Sequence, residues 1–177
     1  MTQAIQKIDR SASSPALVEA QRVLKEEANA LLLLSEHLSV SFDNAVETIL
    51  EVKGRLIVSG VGKSAHIARK IAATMASTGT PAFFIHPTEA SHGDLGMLTR
   101  EDGVLLLSNS GETAELSDMI AHTKRFGIPL LSITGSAKST LSKESDVALT
   151  IPPVSEACPL GLAPTTSTTA MLGFGDA

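Results

Sequence analysis

Five short apolar runs recur along this chain at regular intervals. They lie at about 55–60, 82–86, 104–108, 129–134 and 147–151. Each run is apolar almost throughout rather than alternating apolar and polar, which is typical of parallel strands that helices cover on both faces. Helical patterns fall between most of them, at about 63–78, 112–126 and 138–145. The repetition predicts a three-layer α-β-α sandwich around a five-stranded parallel sheet.

Two further helical patterns precede the first run. The longer one covers about 15–38, and a serine directly before Pro15 can cap it. The shorter one covers about 43–52. The residues before Pro15 are polar and rich in serine, which predicts a mobile arm over 1–14 ahead of a single domain over 15–177.

The first helix carries more apolar surface than one core needs. Four consecutive leucines occupy positions 31–34, and four successive side chains span about 300° of a helix. Some of them must therefore pack against a second partner. We expect a homo-oligomer, a dimer or a tetramer, that forms through this helix, with His92 acting across the interface.

The composition excludes several classes of protein. The 14 Lys and Arg residues are outnumbered by 19 Asp and Glu residues, and a net charge of −5 argues against a nucleic-acid partner. With five Phe but neither Trp nor Tyr, the chain has few rings on which bases could stack. No apolar stretch approaches the roughly 20 residues that span a bilayer, so no membrane association is expected. The single cysteine fits a reducing compartment, and the expected location is the cytoplasm.

The loop after the first predicted strand contains Gly60-Val-Gly-Lys-Ser64 and opens a helix. It is not an ATP-binding P-loop, because Ile57 stands where that motif needs a glycine. Its glycine spacing satisfies a relaxed dinucleotide fingerprint, which leaves an NAD-binding domain as an alternative. Lys63 lies at the positive end of the helix dipole, which is unfavourable unless an anion compensates. We therefore expect an anionic ligand at Lys63, although a solvated surface lysine is the simpler interpretation.

The loop after the third predicted strand is rich in hydroxyl groups. Ser108, Ser110 and Thr113 surround Gly111 before the next helix. Hydroxyl groups together with the free amides of a helix N-terminus suit a phosphate group. A capping box between Ser110 and Thr113 is the structural alternative. Of the two acids that follow, Glu112 and Glu115, only one can easily face the crevice.

A third loop, 156–169, leaves the last predicted strand and ends in five consecutive hydroxyl residues. These residues either cap their own helix or close the far side of a phosphate pocket. Cys158 lies beside Pro159 with no evident base, and we expect it to be a buried structural thiol.

Two histidines, His86 and His92, flank the turn after the second predicted strand. They could perform acid-base chemistry, bond to the backbone or bind a metal, and their spacing matches no known metal signature.

Four motifs occur together in order along the chain. They are GVGKSAHIARKIAATMASTGTPAFF, SHGDLGML, SNSGET and EACPLGLAPTTSTTA. Together they closely resemble the sugar isomerase (SIS) domain of bacterial arabinose-5-phosphate isomerases, which has a flavodoxin-like fold. The resemblance covers roughly 15–177. It implies interconversion of D-ribulose 5-phosphate and D-arabinose 5-phosphate, which leads to the Kdo sugar of lipopolysaccharide or capsule.

The resemblance also implies roles for individual residues. The hydroxyl residues implied to bind the phosphate are Ser64, Ser108, Ser110 and Thr113, with help from Thr165 and Thr166. Asn109 and Gly111 are implied to bind the substrate. Those implied to act in catalysis are Lys63, Glu115 and Glu156. Those implied to line the sugar are Gly79, Thr80, His86 and His92. No cofactor is required, and His86 matches a position where zinc can bind and inhibit.

The sequence matches the family pattern up to position 177, and the family pattern continues beyond that point. Family members continue the last helix, add a Ser-His-Pro-Gly-Gly segment whose histidine is catalytic, and usually carry two CBS domains. Because these segments do not follow here, we expect the sequence to be a truncated SIS domain. A sugar-phosphate sensor that binds without turnover is the main alternative function.

An aldose-ketose isomerase needs a base that moves a proton between C1 and C2 and a donor that stabilises the enediolate. Lys63 suits the second task. Glu115, Glu156 and His92 compete for the first, and the sequence does not rank them.

Overall fold

The computed structural model of the chain describes residues 14–177, and the arm predicted over 1–14 lies outside that range except for Ser14. Five strands form one parallel sheet in the order β2-β1-β3-β4-β5. They are β1 (Leu56–Gly60), β2 (Ala82–Phe84), β3 (Gly103–Ser108), β4 (Leu130–Thr134) and β5 (Val147–Thr150). The predicted sheet is confirmed, and each strand lies within about one residue of its apolar run or inside it.

Seven α-helices surround the sheet in the described part of the chain. They are α1 (Pro15–His37), α2 (Val40–Glu51), α3 (Lys63–Ser77), α4 (Pro87–Ser91), α5 (Ser117–Phe126), α6 (Thr140–Glu144) and α7 (Thr166–Asp176). Short 3₁₀ turns cover 94–97 and 114–116. The cap predicted for α1 is confirmed, since the side chain of Ser14 accepts a hydrogen bond from the N–H of Leu17 at 3.2 Å.

Two apolar clusters pack against opposite faces of the sheet. The first includes Leu34 of α1, Ile71 of α3 and Met171 of α7. The second includes Leu116, Met119 of α5 and Leu141 of α6. The three-layer sandwich is therefore confirmed, with α1, α2, α3 and α7 on one face and α4, α5 and α6 on the other.

Two helix starts differ from the sequence-based expectation, and one segment expected to be a turn is a helix. The helix predicted from 112 begins at Ser117, because Glu112 bonds to another element and a 3₁₀ turn intervenes. The helix predicted from 43 begins three residues earlier, at Val40. The turn after β2 forms the short helix α4, which Pro87 opens at its first position.

Close packing of α7 depends on its glycines. A Cβ on Gly173 would lie 2.7 Å from Leu31 of α1, and a Cβ on Gly175 would overlap Ile71 of α3. These two positions let α7 lie directly against both neighbouring helices.

The four leucines of α1 do point in different directions, as their spacing requires. Leu34 is 5 % exposed and belongs to the core, whereas Leu32 is 65 % exposed. Leu31 packs over Gly173 but remains 39 % exposed. Across residues 14–177, no helix has the length and apolar character needed to cross a membrane.

Candidate active site

The strand order places two loops next to each other at the carboxyl edge of the sheet. β1 and β3 are hydrogen-bonded neighbours, and the helices that follow them, α3 and α5, lie on opposite faces. The connections that leave β1 and β3 therefore run to opposite faces of the sheet. The gap between two such strands is the switch point, where ligands bind in open α/β sheets. The loop that precedes Lys63 and the loop over 109–113 both start from this point.

Lys63 is the first residue of α3 and is exposed. The N-cap, Gly62, has a φ of +59° and contributes no capping side chain. The first turn holds no acidic residue that would balance the lysine. The structure therefore puts an ammonium group and a helix N-terminus at the switch point. The neighbouring Ser64 directs its hydroxyl to the sulfur of Met171, at 3.7 Å.

The hydroxyl groups of the loop after β3 lie close together. The hydroxyl oxygens of Ser108 and Thr113 are 2.7 Å apart, and that of Ser110 is 3.5 Å from Ser108. The N–H of Gly111 donates to Ser108, and the N–H of Glu112 donates to Ser110. Ser110 thus forms a local turn with Glu112, and the capping box with Thr113 does not occur. Ser108 is buried, while Ser110 is exposed and free to meet a ligand.

Gly111 allows this loop to pack against α6. Its φ is +67°, and a Cβ there would lie 2.9 Å from Oγ1 of Thr134 and overlap Ser139. Its carbonyl accepts the N–H of Leu141 at 3.0 Å. A side chain at this position would push the hydroxyl loop away from the sheet.

The two acids that follow the loop have different surroundings. The carboxylate of Glu112 accepts the N–H of Thr140 at 2.8 Å, and this backbone hydrogen bond is the main cause that lowers the pKa of Glu112. Glu112 therefore holds the start of α6. Glu115 lies in the 3₁₀ turn with its side chain exposed. The structure thus favours Glu115 as the acid that is available to a ligand.

Glu156 occupies the amino end of α7. Its carboxylate accepts the N–H of Thr165 at 2.6 Å and that of Ser167 at 3.3 Å, and it also accepts both hydroxyl groups. Burial is the largest single influence and raises the pKa of Glu156, but the hydrogen bonds from Ser167 and Thr165 together outweigh it and lower the pKa below its ordinary value. A carboxylate held by four donors is a weak proton acceptor.

The hydroxyl residues that open α7 bond to the segment before it. Oγ1 of Thr166 accepts the N–H of Ala157 at 2.9 Å, and Oγ1 of Thr165 accepts the N–H of Cys158 at 3.2 Å. Thr166 is only 1 % exposed. The N-cap residue Thr165 makes no side-chain capping hydrogen bond, so the hydroxyl groups of Thr165 and Thr166 support the 156–158 segment rather than cap their own helix.

The expectation that Cys158 is a buried thiol is wrong. The residue is half-buried and unpaired. Backbone N–H groups of its own loop, Ala163 first and then Leu162, lower the pKa of the thiol. The loop has little apolar cover because it folds around its own amides, with Leu160 and Leu162 left exposed.

His86 and His92 lie at opposite ends of α4. Nδ1 of His86 accepts the N–H of Thr88 at 3.3 Å and so caps the helix. In a neutral ring that hydrogen bond puts the proton on Nε2, so neither nitrogen offers a free lone pair to a metal. Among residues 14–177, no group of three or more His, Cys, Asp or Glu side chains converges as metal ligands do. Zinc binding at His86 stays a prediction, and His92 is exposed at the C-cap of α4.

Gly79 and Thr80 lie away from the other predicted site residues of the same chain. They follow the carboxyl end of α3 and precede β2. Lys63 begins that helix, and its 15 residues span about 22 Å. The two residues therefore lie near the amino edge of the sheet, opposite the edge that carries Lys63 and the hydroxyl loop.

A cavity of about 510 Å³ lies beside this site rather than within it. It lies between the α1–α2 connection and the carboxyl ends of β4 and β5, and its polar lining includes Ser136, Lys138 and Thr150. None of the predicted site residues lines it. A smaller cavity, of about 280 Å³, is lined by Gly111 and Thr113 of the hydroxyl-rich loop.

The sequence analysis did not predict the contact between α1 and the segment 156–158, which precedes α7. Arg22 of α1 donates to the carbonyl oxygen of Ala157 at 2.6 Å. A contact between positions this far apart in sequence leaves no local pattern, so nothing in the spacing of α1 could have indicated it.

Comparison with known proteins gives relatives of defined chemistry. The chain is 52% identical over 158 residues to the arabinose 5-phosphate isomerase KdsD of Pseudomonas aeruginosa, and 50% identical over 157 residues to that of Shigella flexneri. Each match covers 89% of this chain and 48% of the relative, so the chain spans about half the length of these curated proteins. A solved Escherichia coli protein in complex with arabinose 5-phosphate superposes with a TM-score of 0.87 at 43% identity, covering 93% of this chain and 88% of that one.

The fold is a doubly wound α/β domain, and the loops after β1 and β3 lie at its switch point, the place where ligands bind in sheets of this kind. The sequence model of the SIS domain matches residues 49–177. The chain therefore belongs to the SIS domain family, as the motif resemblance implied.

Proposed function

We propose that this chain forms the isomerase domain of an enzyme that interconverts D-arabinose 5-phosphate and D-ribulose 5-phosphate. The observation that carries the proposal is the hydroxyl group cluster of Ser108, Ser110 and Thr113, which lies beside the Lys63 helix terminus. The relatives named as arabinose 5-phosphate isomerases support this substrate over other sugar phosphates. The product then serves the synthesis of Kdo for lipopolysaccharide or capsule, in the cytoplasm.

The hydroxyl loop anchors the phosphate of the substrate. Ser110 is the exposed donor, and Ser108 keeps Thr113 and the N–H of Gly111 in place. Asn109, Gly111 and Ser64 complete the surroundings, while Thr165 and Thr166 support the opposite wall through the 156–158 backbone. A phosphate held in this way keeps C1 and C2 at a fixed place, so orientation lowers part of the barrier.

Lys63 stabilises the enediolate oxygen that forms when a proton moves between C1 and C2. The proton is carried by Glu115 or His92, both of which are exposed at the carboxyl edge of the sheet. Glu156 is less suited to accept a proton because four donors already hold its carboxylate. We assign it the role of fixing the amino end of α7.

The site is completed by a second copy of the chain. Leu32 and the other exposed leucines of α1 provide an apolar surface for the dimer or tetramer. Gly79 and Thr80 lie too far from Lys63 to line the sugar in their own chain, so a neighbouring copy has to bring them there. No metal is needed for the proposed proton transfer, and zinc at His86 inhibits by breaking the cap of α4.

An assay with a panel of pentose and hexose phosphates tests the proposal and separates it from a sensor. We expect conversion of arabinose 5-phosphate and ribulose 5-phosphate, with hexose phosphates left unchanged. Tight binding of these pentose phosphates without conversion, by this chain and by longer forms of the protein alike, would favour the sensor instead. Chelation of divalent metals before the assay should not lower the rate, because no metal takes part in the proton transfer and bound zinc would inhibit.

A further inference from the structure

Arg22 connects α1 to the loop that carries Glu156. Its Nη2 atom donates to the carbonyl oxygen of Ala157 at 2.6 Å. Two acids of the same helix hold the guanidinium group, since Nε donates to Glu19 at 2.9 Å and Nη1 donates to Glu26 at 2.6 Å. These hydrogen bonds, that of Glu19 first, raise the pKa of Arg22, so the group stays charged. The arginine is therefore oriented toward the loop before any ligand arrives.

The peptide groups of Ala157 are held from two helices. The N–H donates to Thr166 at the start of α7, and the carbonyl accepts from Arg22 on α1. Ala157 is completely buried. A buried carbonyl that loses its donor destabilises the conformation that buries it. We call these two hydrogen bonds, from Arg22 to the carbonyl of Ala157 and from its N–H to Thr166, the Ala157 clamp. Glu156 is the residue directly before Ala157.

We propose that Arg22 is a positioning residue, which fixes the Ala157 peptide and thereby keeps the Glu156 carboxylate at the amino end of α7. The effect on turnover rests on the isomerase function proposed above, whereas the effect on the loop does not. An exposed ion pair along one helix contributes little by itself. The contact with Ala157 is what gives Arg22 its role, and Glu19 and Glu26 only orient it.

The test compares four variants. Arg22→Met removes every donor and keeps a long apolar side chain, while Arg22→Lys keeps one donor and the charge. Lys25→Met removes the same charge from an exposed position of α1 and serves as the matched control. Glu19→Gln weakens the ion pair but leaves Arg22 able to reach Ala157.

Amide hydrogen exchange measures how often the loop held by the Ala157 clamp opens, and it needs no substrate. We expect the amides of Ala157, Thr165 and Ser167 to exchange about tenfold faster in Arg22→Met, relative to the amides of β3 in the same protein. The other three variants should keep nearly the wild-type ratio. Dividing by the exchange rate of the β3 amides corrects for any change in global stability, and Arg22→Leu replaces Arg22→Met if the latter does not fold. Equal ratios in Arg22→Met and Lys25→Met would overturn the proposal.

Kinetics then measure the consequence for the reaction. Arg22→Met should lower kcat about tenfold with KM changed less than about threefold, and Arg22→Lys should recover most of the loss. Faster exchange with an unchanged kcat would overturn the positioning role. Absence of turnover in the wild-type protein would contradict the proposed function instead, and the exchange result would still decide whether Arg22 fixes the loop.

Discussion

The carboxylate of Glu156 accepts a hydrogen bond from the backbone N–H of Thr165 at 2.6 Å, across a loop of nine positions. The bond closes that loop and puts a negative charge at the positive end of the α7 dipole. A residue that the SIS resemblance assigns to catalysis therefore also stabilises the fold. Experiments on Glu156 have to separate these two contributions.

Glu156→Gln should lower the free energy of unfolding by about 1 to 2 kcal/mol near neutral pH, because the amide loses the charge and one acceptor oxygen. Urea unfolding measures this change. Glu115→Gln is the matched control, since Glu115 is exposed and its replacement should leave stability unchanged. Equal stability of the two variants would contradict the capping role of Glu156.

The stability effect of Glu156 should also depend on pH. The hydrogen bonds hold the pKa of Glu156 below that of a free glutamate, so the stabilisation is fully present above the pKa of the unfolded chain and is lost as the pH falls through the folded pKa. The difference between wild type and Glu156→Gln should therefore shrink in acid. Asp102, with a pKa lowered to about 2, is present in both proteins and cancels in the difference. A difference that stays constant down to about pH 3 would contradict the assignment.

Ser110→Ala should weaken binding of arabinose 5-phosphate by about 1 to 3 kcal/mol and leave the unfolding free energy almost unchanged, because Ser110 is exposed. Thr113→Ala should weaken binding by a similar amount. Ser108→Ala should lower stability as well, since its buried hydroxyl accepts the N–H of Gly111. Calorimetric titration with the sugar phosphate, and with inorganic phosphate as competitor, measures the affinities. Wild-type affinity in both Ser110→Ala and Thr113→Ala would contradict the phosphate site.

Lys63→Ala should lower kcat by more than it weakens substrate affinity, because the ammonium group acts on the charge that develops in the enediolate. Steady-state kinetics and direct binding measure the two effects separately. Lys53→Ala, at an exposed position before β1, is the control for loss of a positive charge. A loss of affinity alone would instead mean that Lys63 binds the phosphate.

Leu32→Glu should dissociate the homo-oligomer, because a charge would replace an apolar side chain that is 65 % exposed in one copy. Light scattering of the wild-type chain should give a multiple of 18.4 kDa, and the variant should give that mass itself. Activity should fall with dissociation if a neighbouring copy completes the site. A wild-type chain that is monomeric at micromolar concentration would refute the assembly.

The sheet could be predicted from the sequence because its signal is local. Each strand is a short apolar run. The two loops at the switch point can also be recognised locally, one by Lys63 after a glycine and the other by three hydroxyl residues around Gly111. The order of these elements along the chain then puts both loops at one edge of the sheet.

The contacts that were not predicted join distant parts of the chain. The carboxylate of Glu112 accepts a hydrogen bond from Thr140 of α6, and α5 therefore begins after Glu112, at Ser117. Arg22 donates to the carbonyl oxygen of Ala157, and the carboxylate of Glu156 accepts from the amino end of α7. Such pairs depend on how the helices pack, and neither propensity nor spacing contains that information.

The most direct measurement of the proposed chemistry follows arabinose 5-phosphate in D₂O by NMR spectroscopy, with the wild-type protein and with Lys63→Ala. A base that moves a proton through an enediolate predicts that ribulose 5-phosphate appears and carries solvent deuterium at C1. The variant should form the same product far more slowly. Arabinose 5-phosphate that binds to the wild-type protein and yet remains unchanged, with no ribulose 5-phosphate formed, would contradict the account.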